Sequence, residues 1–121
     1  MGGYSHLADN ASSSNNSVVL DNSESMYVYG GLNNNMNEGS KTVAHNNTVT
    51  LKNGSSAMYV FGGAGEFANG NTINIQDSTV TAAISAGVGT SGEANNTVSI
   101  SGKSVLNNAV IFGGMFHKTG N

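Results

Sequence analysis

The sequence predicts an all-β fold, a parallel β-helix (β-solenoid) of about four coils of roughly 25–32 residues, and three regularities carry that expectation. An Asn followed by Ser or Thr opens a short alternating strand four times: Asn16-Ser17-Val18-Val19-Leu20, Asn47-Thr48-Val49-Thr50-Leu51, Asn71-Thr72-Ile73-Asn74-Ile75 and Asn96-Thr97-Val98-Ser99-Ile100. The lead Asn recurs after 31, 24 and 25 residues, and self-similarity on that scale marks a repeat architecture whose units bury their apolar faces against one another. About a dozen residues beyond each strand comes a small-residue pair: Gly30-Gly31, Gly62-Gly63, Ala86-Gly87 and Gly113-Gly114. The remaining length sits between that pair and the next Asn, in Leu32–Asn46, Ala64–Gly70 and Val88–Asn95. Variation at one fixed phase is what stacked coils tolerate, because an excursion there disturbs no neighbour.

The first strand of each copy alternates, so Val18 and Leu20, Val49 and Leu51, Ile73 and Ile75, and Val98 and Ile100 share one face. Tight turns follow at Asp21-Asn22, Lys52-Asn53-Gly54, Gln76-Asp77 and Ser101-Gly102, residues that accept positive φ or Asx conformations. A second strand then reads Ser25-Met26-Tyr27-Val28-Tyr29, Ala57-Met58-Tyr59-Val60-Phe61, Ala82-Ala83-Ile84-Ser85 and Ala109-Val110-Ile111-Phe112. Two alignments fit it. One stacks Val28, Val60, Ile84 and Ile111 inward, with Met26, Met58, Ala82 and Ala109 two residues earlier, and leaves Tyr27, Tyr29, Tyr59, Phe61 and Phe112 outside as a surface-contact row. The other shifts the third copy by one residue and draws the aromatics inward. The glycine pairs are expected to close this second strand and turn the corner, where a Cβ would clash with the coil above or below.

Stacking places Asn16, Asn47, Asn71 and Asn96 over one another at about 4.8 Å, where their amides form a ladder of the kind seen in cross-β structures. Asn also tolerates the turn before a strand.

Composition agrees with an ordered chain of thin core. Asn, Ser, Thr and Gly supply roughly half of the 121 residues, yet there is no Pro and only 9% charge, whereas disorder goes with Pro and high charge. Four Lys and no Arg at a net charge of −3 leave no basic stripe for nucleic acid. No apolar window is long enough to insert into a membrane. Without Cys there is no disulfide or thiolate metal site, which suits a reducing compartment or a bacterial exported chain.

No catalytic, cofactor or metal residues are expected. The seven acids are scattered; Asp21 and Asp77 share a phase about 10 Å apart, and Glu66 and Glu93, in consecutive excursions, read as solvated loop acids. His6, His45 and His117 lack zinc-ligand spacing and read as exposed loop residues. Gly62-Gly63-Ala64-Gly65 matches the start of a calcium-binding nonapeptide, but Phe67 stands where the Asp ligand belongs.

The run Val28-Tyr29-Gly30-Gly31, the opening Gly2-Gly3-Tyr4-Ser5, and Asn47-Thr48-Val49-Thr50-Leu51 with its echoes resemble the passenger-domain repeats of bacterial autotransporter proteins. The resemblance implies a right-handed coil, export across the outer membrane, and an extracellular or cell-surface stalk that serves adhesion. Residues 1–121 then read as one segment of a longer surface protein, with a host or bacterial surface protein or glycan as partner and loop groups such as Tyr4, Met36, His45 and Phe67 making contact. Two other functions fit the same pattern. Uncapped ends in mid-repeat predict end-to-end self-association, and outward Tyr27, Tyr29 and Tyr59 predict a carbohydrate-binding face.

Overall fold

The computed structural model describes residues 1–6 and 8–112, and the expectations for Gly113, Gly114 and His117 lie outside them. The chain is all-β. In order the strands are β1 (Tyr4–Ser5), β2 (Ser17–Asp21), β3 (Glu24–Asn33), β4 (Val43–His45), β5 (Thr48–Lys52), β6 (Ser56–Asn69), β7 (Thr72–Gln76), β8 (Thr79–Ser85), β9 (Val88–Ala94), β10 (Thr97–Ser101) and β11 (Val110–Phe112). They form two sheets in which every pairing is parallel.

The first strands of the four copies make one sheet, ordered β10-β7-β5-β2. Its register carries Val18 onto Val49, Val49 onto Ile73 and Ile73 onto Val98, with Leu20, Leu51, Ile75 and Ile100 two residues on. The second strands run β1-β3-β6-β8-β11 in the other sheet, and β4 and β9 pair with the far half of β6. Val28, Val60, Ile84 and Ile111 fall in one row of that sheet, and Tyr29, Phe61, Ser85 and Phe112 in the next.

The core joins the inward faces of both sheets: Val28, Val49, Leu51, Ala57, Val60, Ile73, Ile75, Val80, Ile84 and Ala86 are all buried. Each aliphatic side chain removed from water contributes about 1.5–3 kcal/mol. A one-residue slip would turn Val49 and Leu51 outward, so this burial fixes the register.

Two turns per copy are held by left-handed residues. Asn15, Asn46, Gly70 and Asn95, with φ of 61°, 58°, 68° and 56°, each directly precede the recurring Asn. Asn22, Asn53, Asp77 and Gly102 take φ of 50°, 55°, 47° and 67° after the first strand. These are the residue types that adopt αL at low cost. The Asn that tolerates the turn is therefore the neighbour of the Asn that recurs at strand entry.

Four expectations need correction. Met26 and Met58 point outward, at 58% and 40% exposure, and the buried residue before Val60 is Ala57. Alternation slips between Ala57 and Tyr59, where copy three carries an extra residue and the ladder is irregular; a bulge turns two successive side chains to one side. Ile111 keeps its register with Ile84 but is 47% exposed, because β11 ends its sheet among the described residues and has a neighbour on one side only. The glycine pairs at 30–31 and 62–63 do not end the second strand, since β3 and β6 run through them. Nor are the excursions mainly loops. Val43–His45, the end of β6 and Val88–Ala94 are paired strands, and only 34–42 leaves the ladder at length.

Ile73→Ala is expected to lower unfolding free energy by about 2–5 kcal/mol, while Val19→Ala, at an exposed site, stays within about 0.5 kcal/mol of the parent. Urea titration of both variants checks this; equal effects would mean the core does not lie between the sheets.

Candidate functional site

Three groups of side chains recur in register or converge: an Asn ladder, an aromatic row, and a buried acid at the phase where length varies. The Asn16 backbone N–H and Nδ2–H both donate to Asn47 Oδ1 at 3.0 Å, and Asn47 donates in the same way to Asn71 Oδ1 at 3.0 Å. Asn71 continues onto Asn96 Oδ1 at 3.0 and 3.1 Å. The second amide hydrogens of Asn47, Asn71 and Asn96 go to the carbonyls of Ser13, Ala44 and Ala68, each at 2.9 Å. Each internal Oδ1 thus accepts twice and each of these three Nδ2 groups reaches a neighbouring segment. Asn47 and Asn71 are fully buried, a position that polar groups hold only when hydrogen-bonded.

Close backbone approach and the ladder together explain the glycines. A Cβ on Gly30 would collide with the Gly62 carbonyl oxygen, one on Gly62 with that of Ala86 and one on Gly31 with that of Ser13, and the same three would lie 2.9 Å from Asn47 Cβ, 3.0 Å from Asn71 Cβ and 2.8 Å from Asn47 Nδ2. A Cβ on Gly63 would sit 2.8 Å from Asn71 Oδ1, and one on Gly87 would collide with Asn96 Nδ2. None of these five has positive φ, so close approach of the neighbouring backbone and of the amide ladder is what requires glycine.

Serines recur as well, at Ser23, Ser55, Ser78 and Ser104, and bond in two separate pairs. Ser23 N–H donates to Ser55 Oγ at 3.1 Å and Ser78 N–H to Ser104 Oγ at 3.3 Å.

On the outer face Tyr27 stacks on Tyr59 at 5.0 Å and 7°, and Tyr29 on Phe61 at 5.1 Å and 25°. Tyr59 and Phe61 lie 6.2 Å apart. The structure brings these four rings together and leaves Phe112 apart, since Ser85 stands between it and Phe61 in the row. Stacking from strand to strand turns ring faces toward each other, with offset contacts worth about 0.5–1.5 kcal/mol. Burial, and then the neighbouring Tyr27, raise the Tyr29 phenol above its ordinary pKa.

The reading of Glu66 and Glu93 as solvated acids is overturned: they are 3% and 4% exposed. Glu66 is one residue opposite two insertions, 34–42 in copy one and Thr90-Ser91 in copy three. Its Oε1 accepts from Lys41 N–H at 2.7 Å, and its Oε2 from Gly39 N–H and Ser91 Oγ–H, both at 2.7 Å. Glu93 takes the buried row of Ala68 and accepts from Gly89 N–H at 2.7 Å. The other segment contacts cluster here too: Thr90 Oγ1–H donates to the Met36 carbonyl.

Of the remaining expected contact residues, Tyr4 lies exposed in β1 and its hydroxyl bonds His6 Nδ1 at 2.8 Å. His45 is in β4 rather than a loop, half-buried and 3.2 Å from Asn69 Nδ2 through Nε2. Phe67 sits in β6. Among the described residues no three His, Cys, Asp or Glu side chains are grouped to hold a metal ion. Compared with known protein families, curated proteins and solved structures, the chain has no match.

Asn71→Ala removes the acceptor of two buried donors, each costing about 1–3 kcal/mol when orphaned, and should lower stability by more than about 2 kcal/mol in a urea titration. Glu66→Gln should speed hydrogen exchange at the Gly39 and Lys41 amides by at least about tenfold, since bonds to a charged acceptor are worth about 1.5–3 kcal/mol. Unchanged exchange at both amides would show that the carboxylate does not hold the loop.

Proposed function

We propose that the chain is a non-enzymatic structural and adhesive module, a right-handed parallel β-helical stalk displayed at a bacterial surface. The carrying observation is the parallel pairing in which each strand of one copy lies beside its equivalent in the next, through both sheets. A chain that leaves one sheet, contributes to the other and returns beside its starting strand winds as a coil. Right-handedness agrees with the strong preference for right-handed crossovers between parallel strands of one sheet. Export and surface display rest on the resemblance to autotransporter passenger repeats.

The attachment element is the 34–42 loop. Its base is fixed: Asn35 Nδ2 donates to Asp9 Oδ1 at 2.8 Å, and Thr42 and Ser40 hydroxyls donate to the Asn35 carbonyl at 2.6 and 3.2 Å. Glu66 holds the tip from below. Asn37, Glu38, Gly39 and Lys41 remain exposed, so the loop meets a surface protein or glycan with its conformation already set, which lowers the entropy cost of binding.

Beads coated with the chain should adhere to host cells or matrix, and Glu38→Ala combined with Lys41→Ala should reduce adhesion by about tenfold, the equivalent of about 1.4 kcal/mol. Equal adhesion by the double variant would remove the loop from the role. No adhesion by the parent chain would remove the adhesive function itself.

A further inference from the structure

We propose that copies of this chain associate head to tail, the β10 and β11 edges of one receiving the β2 and β3 edges of the next in the register of the internal repeat. The partner is a second copy of the same chain. Display at a surface plays no part in this association, which follows from the strand registers alone.

The two ends of the first sheet are chemically complementary. Strands β2 and β10 are its terminal members among the described residues. Within the sheet Thr48 N–H donates to the Asn16 carbonyl, Thr72 N–H to that of Asn47, and Thr97 N–H to that of Asn71. Parallel strands alternate which residues bond to which side, so Val98 and Ile100 turn their main-chain groups to the open side of β10, and Ser17 and Val19 turn theirs to the open side of β2. A second copy one strand spacing away would place its Ser17 N–H against the Asn96 carbonyl. The Asn ladder has the same polarity, because every step runs from N–H and Nδ2–H to the next Oδ1. Among the described residues it leaves the Asn96 backbone N–H at one end and Asn16 Oδ1 at the other, a donor facing an acceptor.

The apolar rows match as well. Val49, Leu51, Ile73 and Ile75, each flanked on both sides, are fully buried, while Ile100 in the same row is 40% exposed and Val18, Leu20 and Val98 only half-buried. Stacking would cover Val98 with Val18 and Ile100 with Leu20 of the next copy.

The second sheet leaves room for this. The N-terminal segment bonds β3 only from Tyr29 onward, through Gly2 N–H to the Tyr29 carbonyl and Leu32 N–H to that of Gly3. In the repeat's register β11 would take the stretch ahead of it, with Val110 and Ile111 beside Tyr27 and Val28, as Ala83 and Ile84 lie beside Tyr59 and Val60. The apposed surfaces differ, so the contact is heterologous and, advancing by the four strand spacings of one copy, about 19 Å, forms open polymers rather than a closed dimer.

Sedimentation velocity from low micromolar to millimolar concentration tests this. The parent chain should show a weight-average mass that rises past the dimer. Ile100→Pro and Ser17→Pro each remove an open-edge N–H and no bond inside the sheet, and edge strands tolerate proline. Each variant alone should stop short of parent polymers, and their equimolar mixture should stop at a dimer, joined through the one intact tail and the one intact head. Ile100→Lys, a charge turned into the same edge, replaces Ile100→Pro if circular dichroism shows that variant unfolded. A parent chain that stays monomeric, a closed parent dimer, or variants that polymerise like the parent would each overturn the proposal. None of these outcomes touches the adhesion assay, which is run on immobilised chain.

Discussion

Parallel in-register pairing is the constraint on which the rest depends, because it sets every residue of one copy directly beside its equivalent in the next. At about 4.8 Å between neighbours, each row must be filled by side chains that satisfy one another. Aliphatic residues do so by contact in the rows of Val49 and Leu51. Amides do so by donating one way along a ladder, as Asn47 and Asn71 show. Aromatic rings do so by stacking, as Tyr27 on Tyr59. Ionised side chains have no such solution, since like charges directly opposite repel; the charge-poor composition follows from the geometry.

The same constraint explains how so polar a chain keeps a stable interior. Buried Asn, Ser and Thr would each be costly without a partner, but repetition supplies the partner automatically: the acceptor one copy away is the same residue in the same conformation. The glycines belong to this arrangement rather than to the turns. At Gly30 and Gly62 the strand passes so close to the carbonyl of the next copy, and to the Asn side chain, that a methyl group would fit neither. Core thickness and ladder are therefore coupled, and the apolar part of the interior can remain narrow because the polar part is rigid.

What could be read from the sequence was whatever repeats with a fixed phase. The strand-entry Asn, the aliphatic pairs and the positive-φ turns are of this kind, as is the spacing of Ser23, Ser55, Ser78 and Ser104. Features that break the period were not legible. Met26 and Met58 were placed inward because strict alternation was carried through a position where the strand bulges. The third segment was taken for loop because its residues, Val43–His45 and Val88–Ala94, share no common sequence, although their backbones pair through β6. Backbone pairing needs no particular side chain, so it leaves little trace in composition. Glu66 was read as solvated since an acid in a Gly-rich stretch ordinarily is; its burial depends on two donors from 39–41 and one from Ser91, residues 25 to 27 positions away.

The distribution of freedom in the chain bears on where recognition can reside. The inward rows are fixed by packing, and the Asn row by its ladder. The outer aromatic row, which as a sequence feature suggests a platform for sugar rings, has one face of each ring turned to its neighbour across the strands, and that face cannot also stack on a ligand. Length varies at the phase opposite Glu66, where copy two has that one residue, copy three has two and copy one has 34–42. Sequence there is unconstrained by register, and the buried carboxylate turns an insertion that would otherwise be a mobile loop into a defined shape. Length can change at this phase while the Asn ladder stays intact, because the insertion is held by side chains such as Glu66, Asp9 and Asn35 and not by the pairing of the strands.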